Sequence, residues 1–91
     1  MLLPESQLRI WLYNPPCDMR KSYDGLSALV KTQLLENPLS GQLFVFINRR
    51  RTQMKILYFD RSGYCIWSKR LEQGRFHTHA GGGNKCRLEW T

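Results

Sequence analysis

The chain has 91 residues, 42% of them hydrophobic and 23% charged, with 14 Lys and Arg against 7 Asp and Glu and a formal net charge of +7. That length leaves room for one domain around one small core, the hydrophobic content excludes a disordered polar tail, and no apolar run approaches the roughly 20 residues of a membrane-spanning helix. The N-terminal Met1-Leu2-Leu3-Pro4-Glu5 lacks the cationic stretch and apolar run of an export signal, and an odd set of cysteines, Cys17, Cys65 and Cys86, closes no disulfide framework, so a reducing cytoplasm is the expected compartment.

In chain order the first element is a strand. Leu8 to Tyr13 alternates, with Leu8, Ile10 and Leu12 on one side and Arg9, Trp11 and Tyr13 on the other, which predicts one core face and one aromatic and basic face. Asn14-Pro15-Pro16 ends it, because neither proline has an N–H to give a sheet ladder. From Tyr23 the period lengthens: Tyr23, Leu26, Leu29, Val30 and Leu34 recur at helical steps and predict the one principal helix. Asp18 or Ser22 stands where a cap is needed, and Pro38, which disfavours helical geometry at Asn37, marks the far end. Ser40-Gly41 turns the chain into Leu43 to Ile47, an apolar run rich in β-branched and aromatic residues that reads as a central strand covered on both faces. Met54 to Phe59 and Tyr64 to Leu71 follow as further strands. Their links, Arg49 to Gln53 and Asp60 to Gly63, are short enough for antiparallel hairpins, with Gly63 free to take positive φ.

These elements predict an α+β fold over residues 1–76: a small, mostly antiparallel sheet in the order strand, helix, three-stranded meander, with the helix packed across it. Residues 77–91 contain Gly81-Gly82-Gly83 and little that can be buried, and are expected to form a flexible tail. The meander is apolar on both faces and one helix covers only one of them. The first strand and tail folded back, or another protein chain, a second copy included, is expected to cover the other.

The charge is localised. Arg49, Arg50, Arg51, Lys55, Arg61, Lys69, Arg70 and Arg75 are opposed only by Asp60 and Glu72 in the same stretch, a field that attracts polyanions. The Arg49-Arg50-Arg51 run is placed at a hairpin tip, where guanidinium groups clamp phosphates; the plainer alternative is a solubilising turn that discourages edge aggregation. Aromatics lie near cations: Trp11 and Tyr13 by Arg9, Tyr58 by Lys55, Trp67 by Lys69 and Arg70. That pattern suits stacking on unpaired bases, but aromatics at strand spacing in so small a domain belong first to the core. His77 and His79, with Cys65 and Cys86, lack the paired spacing of a zinc site, and Asp18, Asp24, Asp60 and Glu72 each have a plainer capping, turn or charge-balancing role than metal-dependent strand cleavage. Neither a metal, a cofactor nor catalysis is expected.

Asp18-Met19-Arg20-Lys21-Ser22-Tyr23-Asp24-Gly25-Leu26-Ser27-Ala28-Leu29-Val30 resembles the D-M-R-K-(G/S)-(F/Y)-D-G-L-x-x-L-V signature of the TnpB-type accessory protein of the insertion-sequence-66 family of bacterial transposable elements. Gly41 to Phe46, Lys55 to Asp60 and Lys69 to Phe76 are similar to that family in the same order, so the likeness covers roughly residues 8–76. The resemblance implies a non-catalytic protein encoded beside a separate transposase and needed for efficient transposition, with DNA or the transposase as its partner. The positions it offers for DNA contact are Arg20, Lys21, Arg49, Arg50, Lys55, Lys69, Arg70 and Arg75, to which the arginine run adds Arg51. The family continues past an R-F-x-W-P region into a further helix, whereas Phe76 here is followed by His77-Thr78-His79 and the glycines, which implies a C-terminally shortened copy.

Overall fold

The structure, a computed structural model, describes residues 9–78, 83 and 85–88. The alternating segment Ile10–Tyr13 forms β1, and the helical pattern forms α1 over Tyr23–Thr32. The apolar runs form β2 (Leu43–Ile47), β3 (Gln53–Asp60) and β4 (Gly63–Arg70). A fifth strand, β5, spans Lys85–Leu88 inside the segment for which no element is expected from the sequence. Leu8, His79 and Gly81-Gly82 lie outside the described residues.

The strands make one sheet in the order β4-β3-β2-β1-β5. β2, β3 and β4 are the expected antiparallel meander, with Phe44 opposite Leu57 and Leu57 opposite Ile66. β1 does not fold back over the second face: it extends the sheet as a parallel neighbour of β2, with Trp11 opposite Phe44, and β5 runs antiparallel along its outer side. Parallel pairing of β1 and β2 requires a crossover, and α1 supplies it.

Side-chain alternation divides the core into two layers. On the helix side Phe44, Phe46 and Leu57 meet Leu26, Val30 and Leu34, all at most 1% exposed, with Trp11, Tyr13 and Ile66 packed around them. On the other side Leu12, Val45 and Ile47 are buried together with half-buried Ile10, Met54, Ile56 and Phe76. β2 is therefore covered on both faces, as its unbroken apolar sequence requires.

Several local expectations are corrected. Trp11 and Tyr13 do not form an exposed aromatic face. Trp11 donates from Nε1 to Gln42 Oε1 at 2.8 Å, and Tyr13 packs on Phe46 with ring centroids 5.7 Å apart. Ser22 occupies the N-cap position without a side-chain cap, and Tyr23 is 46% exposed and outside the core. The helix stops at Thr32, well before Pro38. Leu35 turns left-handed at φ 55, and the Leu34 and Glu36 amides close back on the Leu29 and Val30 carbonyls. In the β3–β4 turn the left-handed residue is Arg61 at φ 54, and Gly63 instead opens β4.

Candidate functional site

Strand directions determine which loops meet. With β1 and β2 parallel and the meander antiparallel, the ends of β1, β2 and β4 and the start of β3 share one end of the sheet. The Cys17 amide donates to the Ile47 carbonyl at 2.9 Å and fixes the β1–α1 loop against the β2–β3 turn, while Leu71 N–H reaches Thr52 O at 2.7 Å and Phe76 N–H reaches Arg51 O at 2.7 Å. The result gathers Arg20 and Lys21 from the first loop, Arg49, Arg50 and Arg51 from the turn, Lys55 from β3, Lys69 and Arg70 from β4, and Arg75 from the segment after it. Nine cations stand there with three carboxylates, Asp18, Asp24 and Glu72. Arg61 and Asp60 sit in the β3–β4 turn at the opposite end, about 25 Å away along eight-residue strands.

Two adjoining depressions shape this surface. One, an open groove of about 530 Å³, is lined by Arg20, Arg49, Arg50 and Gln53, with Cys17, Asp18, Met19 and Asn48. The other, of about 170 Å³, is lined by Lys55, Ser68, Lys69 and Arg70, and shares Met19 and Gln53 with the first. The Asn48 side chain shapes the turn: its Oδ1 accepts the Thr52 and Gln53 amides at 2.9 and 3.0 Å.

The cations are not equivalent. Asp18 takes Arg20 in a forked ion pair at 2.7 Å and also accepts the Arg20 amide, which holds the Asp18 carboxyl down at about 2 and raises Arg20. The Arg20 side chain is 91% exposed, so this pair contributes little to stability and leaves the outer guanidinium edge open. Arg70 pairs with Glu72 at 2.8 Å, equally exposed. Lys55 donates from Nζ to the Lys21 carbonyl at 2.8 Å. The Lys21, Arg49, Arg50, Lys69 and Arg75 side chains make no hydrogen bond or ion pair among the described residues. Arg51 has an inward role. From a left-handed backbone at φ 62 it donates Nε to the Phe76 carbonyl at 2.8 Å and Nη2 to Thr78 Oγ1, tying the segment after β4 to the turn. Two of its five N–H donors are thereby engaged in structural bonds, unlike those of Arg49 and Arg50.

Lys69 and Arg70, neighbours in sequence, leave β4 on opposite faces; Lys69 stands opposite Met54 and Arg70 opposite Gln53. Tyr58 and Lys55 are separated by the sheet in the same way. Trp67 is 48% exposed on the second face, opposite Ile56 and two residues before Lys69. Gln53 and Met19, which floor both depressions, carry no signal in the sequence that marks them.

A second tie lies away from this end. Lys85 Nζ sits 4.5 Å from the Trp11 ring centroid and 2.8 Å from Glu36 Oε2; that hydrogen bond holds the Glu36 carboxyl below its usual range. Burial raises the Cys17 thiol, which belongs to the core. Among the described residues no group of three or more His, Cys, Asp or Glu comes together to hold a metal ion, and no helix is long and apolar enough to cross a membrane.

The whole is a small α+β scaffold whose loops gather cations at one open end. The chain belongs to the family described as IS66 Orf2 like protein, which it matches over residues 8–91. The family is that of an insertion-sequence accessory protein and is not a known catalytic family. Two relatives from Sinorhizobium fredii (strain NBRC 101917 / NGR234), uncharacterized proteins y4hO and y4jC, are each 40% identical over 76 residues, covering 82% and 84% of this chain. The chain spans 66% and 65% of the length of these relatives. No solved structure matches.

Proposed function

We propose that this chain binds DNA through its cationic end in support of insertion-sequence transposition, holding nucleic acid for a separately encoded transposase and cleaving nothing itself. The observation that carries the reading is the meeting of Arg20, Arg49, Arg50, Lys55 and Arg70 from four separate segments around two adjoining grooves. Five side chains at this end make no hydrogen bond or ion pair among the described residues, so phosphates compete there mainly with water and counterions. Membership of the family supplies the process, and the geometry supports the contact chemistry.

Fluorescence anisotropy of labelled DNA titrated with the protein across a salt series tests this. Binding with log affinity falling linearly against log salt, at a slope of several ions, is expected. Affinity absent at low salt, or insensitive to salt, refutes it.

A further inference from the structure

Charge neutralisation at the grooves does not distinguish paired from unpaired DNA. The aromatics near the site do, because a stacking ring needs a base face that a duplex keeps covered. Trp11, Tyr13 and Tyr64 pack against the helix-side core, and Phe59 stacks edge-on with Tyr64 at 5.4 Å. Two rings are about half exposed, Tyr23 at 46% and Trp67 at 48%; Trp67 is the larger and lies on β4, an edge strand of the sheet, on the same face as Lys69.

Trp67 opens an exposed stretch that continues through Ser68, Lys69 and Arg70. Lys69 shares its face of the strand and stands about 7 Å further along, two residues at the usual strand rise. Lys69 also lines the smaller groove together with Lys55, Ser68 and Arg70. A chain of phosphates lying in that groove therefore has a continuous cationic path around the end of β4 to the indole. The neighbours decide what kind of occupant fits. The core of a protein–protein interface is depleted in charge, whereas the next side chain along this face of β4 is the exposed ammonium of Lys69. A flat apolar ring with an ammonium group next along the same face matches a base attached to its own phosphate.

We propose that Trp67 is a stacking platform for an unpaired base, with Lys69 neutralising the adjoining phosphate, so that the protein prefers single-stranded DNA or the unpaired region of a duplex. This rests on the DNA-binding reading above. The test compares an oligothymidylate single strand with a blunt hairpin duplex, by anisotropy at one salt concentration, for the wild type, Trp67→Leu, Trp67→Phe and the Arg49→Ala/Arg50→Ala pair. Trp67→Leu keeps an apolar side chain on the strand and is expected to lose roughly tenfold in affinity for the single strand, the contribution of one stacked base, while its duplex affinity is unchanged. Trp67→Phe retains most of the single-strand affinity. The arginine pair weakens both DNAs together, which tests the charge reading separately.

Single-strand affinity of Trp67→Leu equal to wild type overturns the stacking role while leaving the cationic surface intact. So does a wild-type dimer in sedimentation that Trp67→Leu dissociates, since the ring is then covered by a second copy. Absence of binding to either DNA by the wild type removes both readings at once.

Discussion

Arg51 separates two roles that one sequence run suggests. Replacing it with Ala removes two hydrogen bonds from a charged donor, to the Phe76 carbonyl and to Thr78 Oγ1, and frees the segment that brings Phe76 against Leu12, Val45 and Ile47. Hydrogen bonds to charged groups contribute about 1.5–3 kcal/mol each when buried; Arg51 is only half-buried, so the pair is worth about 2–3 kcal/mol at the lower end of that range. For a domain of this size each kcal/mol moves the melting temperature by about 4–8 °C, so Arg51→Ala is expected to melt roughly 10–20 °C lower. Arg51→Lys keeps the charge but not the fork and loses nearly as much. Arg51→Gly recovers about 1 kcal/mol, because glycine occupies φ 62 without strain. Thermal melts followed by circular dichroism, paired with salt titrations of DNA affinity, check this. Unchanged melting in the Ala and Lys variants, together with a fall of about 0.9 in the salt slope for Ala, refutes the tie and returns Arg51 to the phosphate contacts.

The remaining predictions are shorter. Asp18→Asn releases Arg20 from its forked pair, and DNA affinity is expected to rise with a salt slope steeper by up to about 0.9; no change removes Arg20 from the interface. Because Asp18 is depressed to about 2, its pairing is complete above the ordinary value of 3.8 and is lost as pH falls towards 2, so this pair adds no pH dependence near neutrality. Carboxyl NMR titration is expected to show that low midpoint, returning towards 3.8 in Arg20→Gln. Leu35→Gly and Arg61→Gly each relieve a left-handed side-chain-bearing residue and are expected to stabilise by about 1 kcal/mol, and Arg61→Gly leaves the salt slope unchanged because it lies at the other end of the sheet. Phe46→Ala empties the centre of the helix-side core and is expected to cost about 3–5 kcal/mol, read as loss of the cooperative melt near ambient temperature.

The elements most readable in the sequence are those whose burial pattern has one solution. Leu43 to Ile47 is apolar at every position because β2 is covered from both sides, and the alternation of β1 and the spacing of Leu26, Val30 and Leu34 follow directly from which faces are covered. Pairing is different, because a strand's partner is a tertiary choice: nothing within Ile10 to Tyr13 specifies parallel alignment with β2 in place of a fold-back over the second face. Lys85 to Leu88 follows a glycine tract and is too short to show a period, so β5 is visible only once β1 is in place beside it. The end of α1 was hidden because the left-handed position falls on Leu35, where glycine is the usual signal. At the candidate site, charge density showed where cations are abundant. It could not show that Arg51 turns inward, or that Lys69 and Arg70 part to opposite faces.

The parallel β1–α1–β2 unit explains why the charge is concentrated spatially and not merely in sequence. It delivers the carboxyl ends of two adjacent strands and the N-terminus of α1 to one end of the sheet, and the meander then returns β4 to the same end. Such convergence is what allows loops distant in sequence to line one depression. The fold gains nothing from filling it with positive charge: Arg49, Arg50, Lys69 and Arg75 bond no described residue, and like charges held together oppose compaction. Asp18 and Glu72 offset only Arg20 and Arg70, through exposed pairs of little energetic weight. The uncompensated remainder opposes compaction, and the DNA contact proposed above would offset it. DNA bound at this end should therefore raise the melting temperature, and the gain should shrink as salt is added.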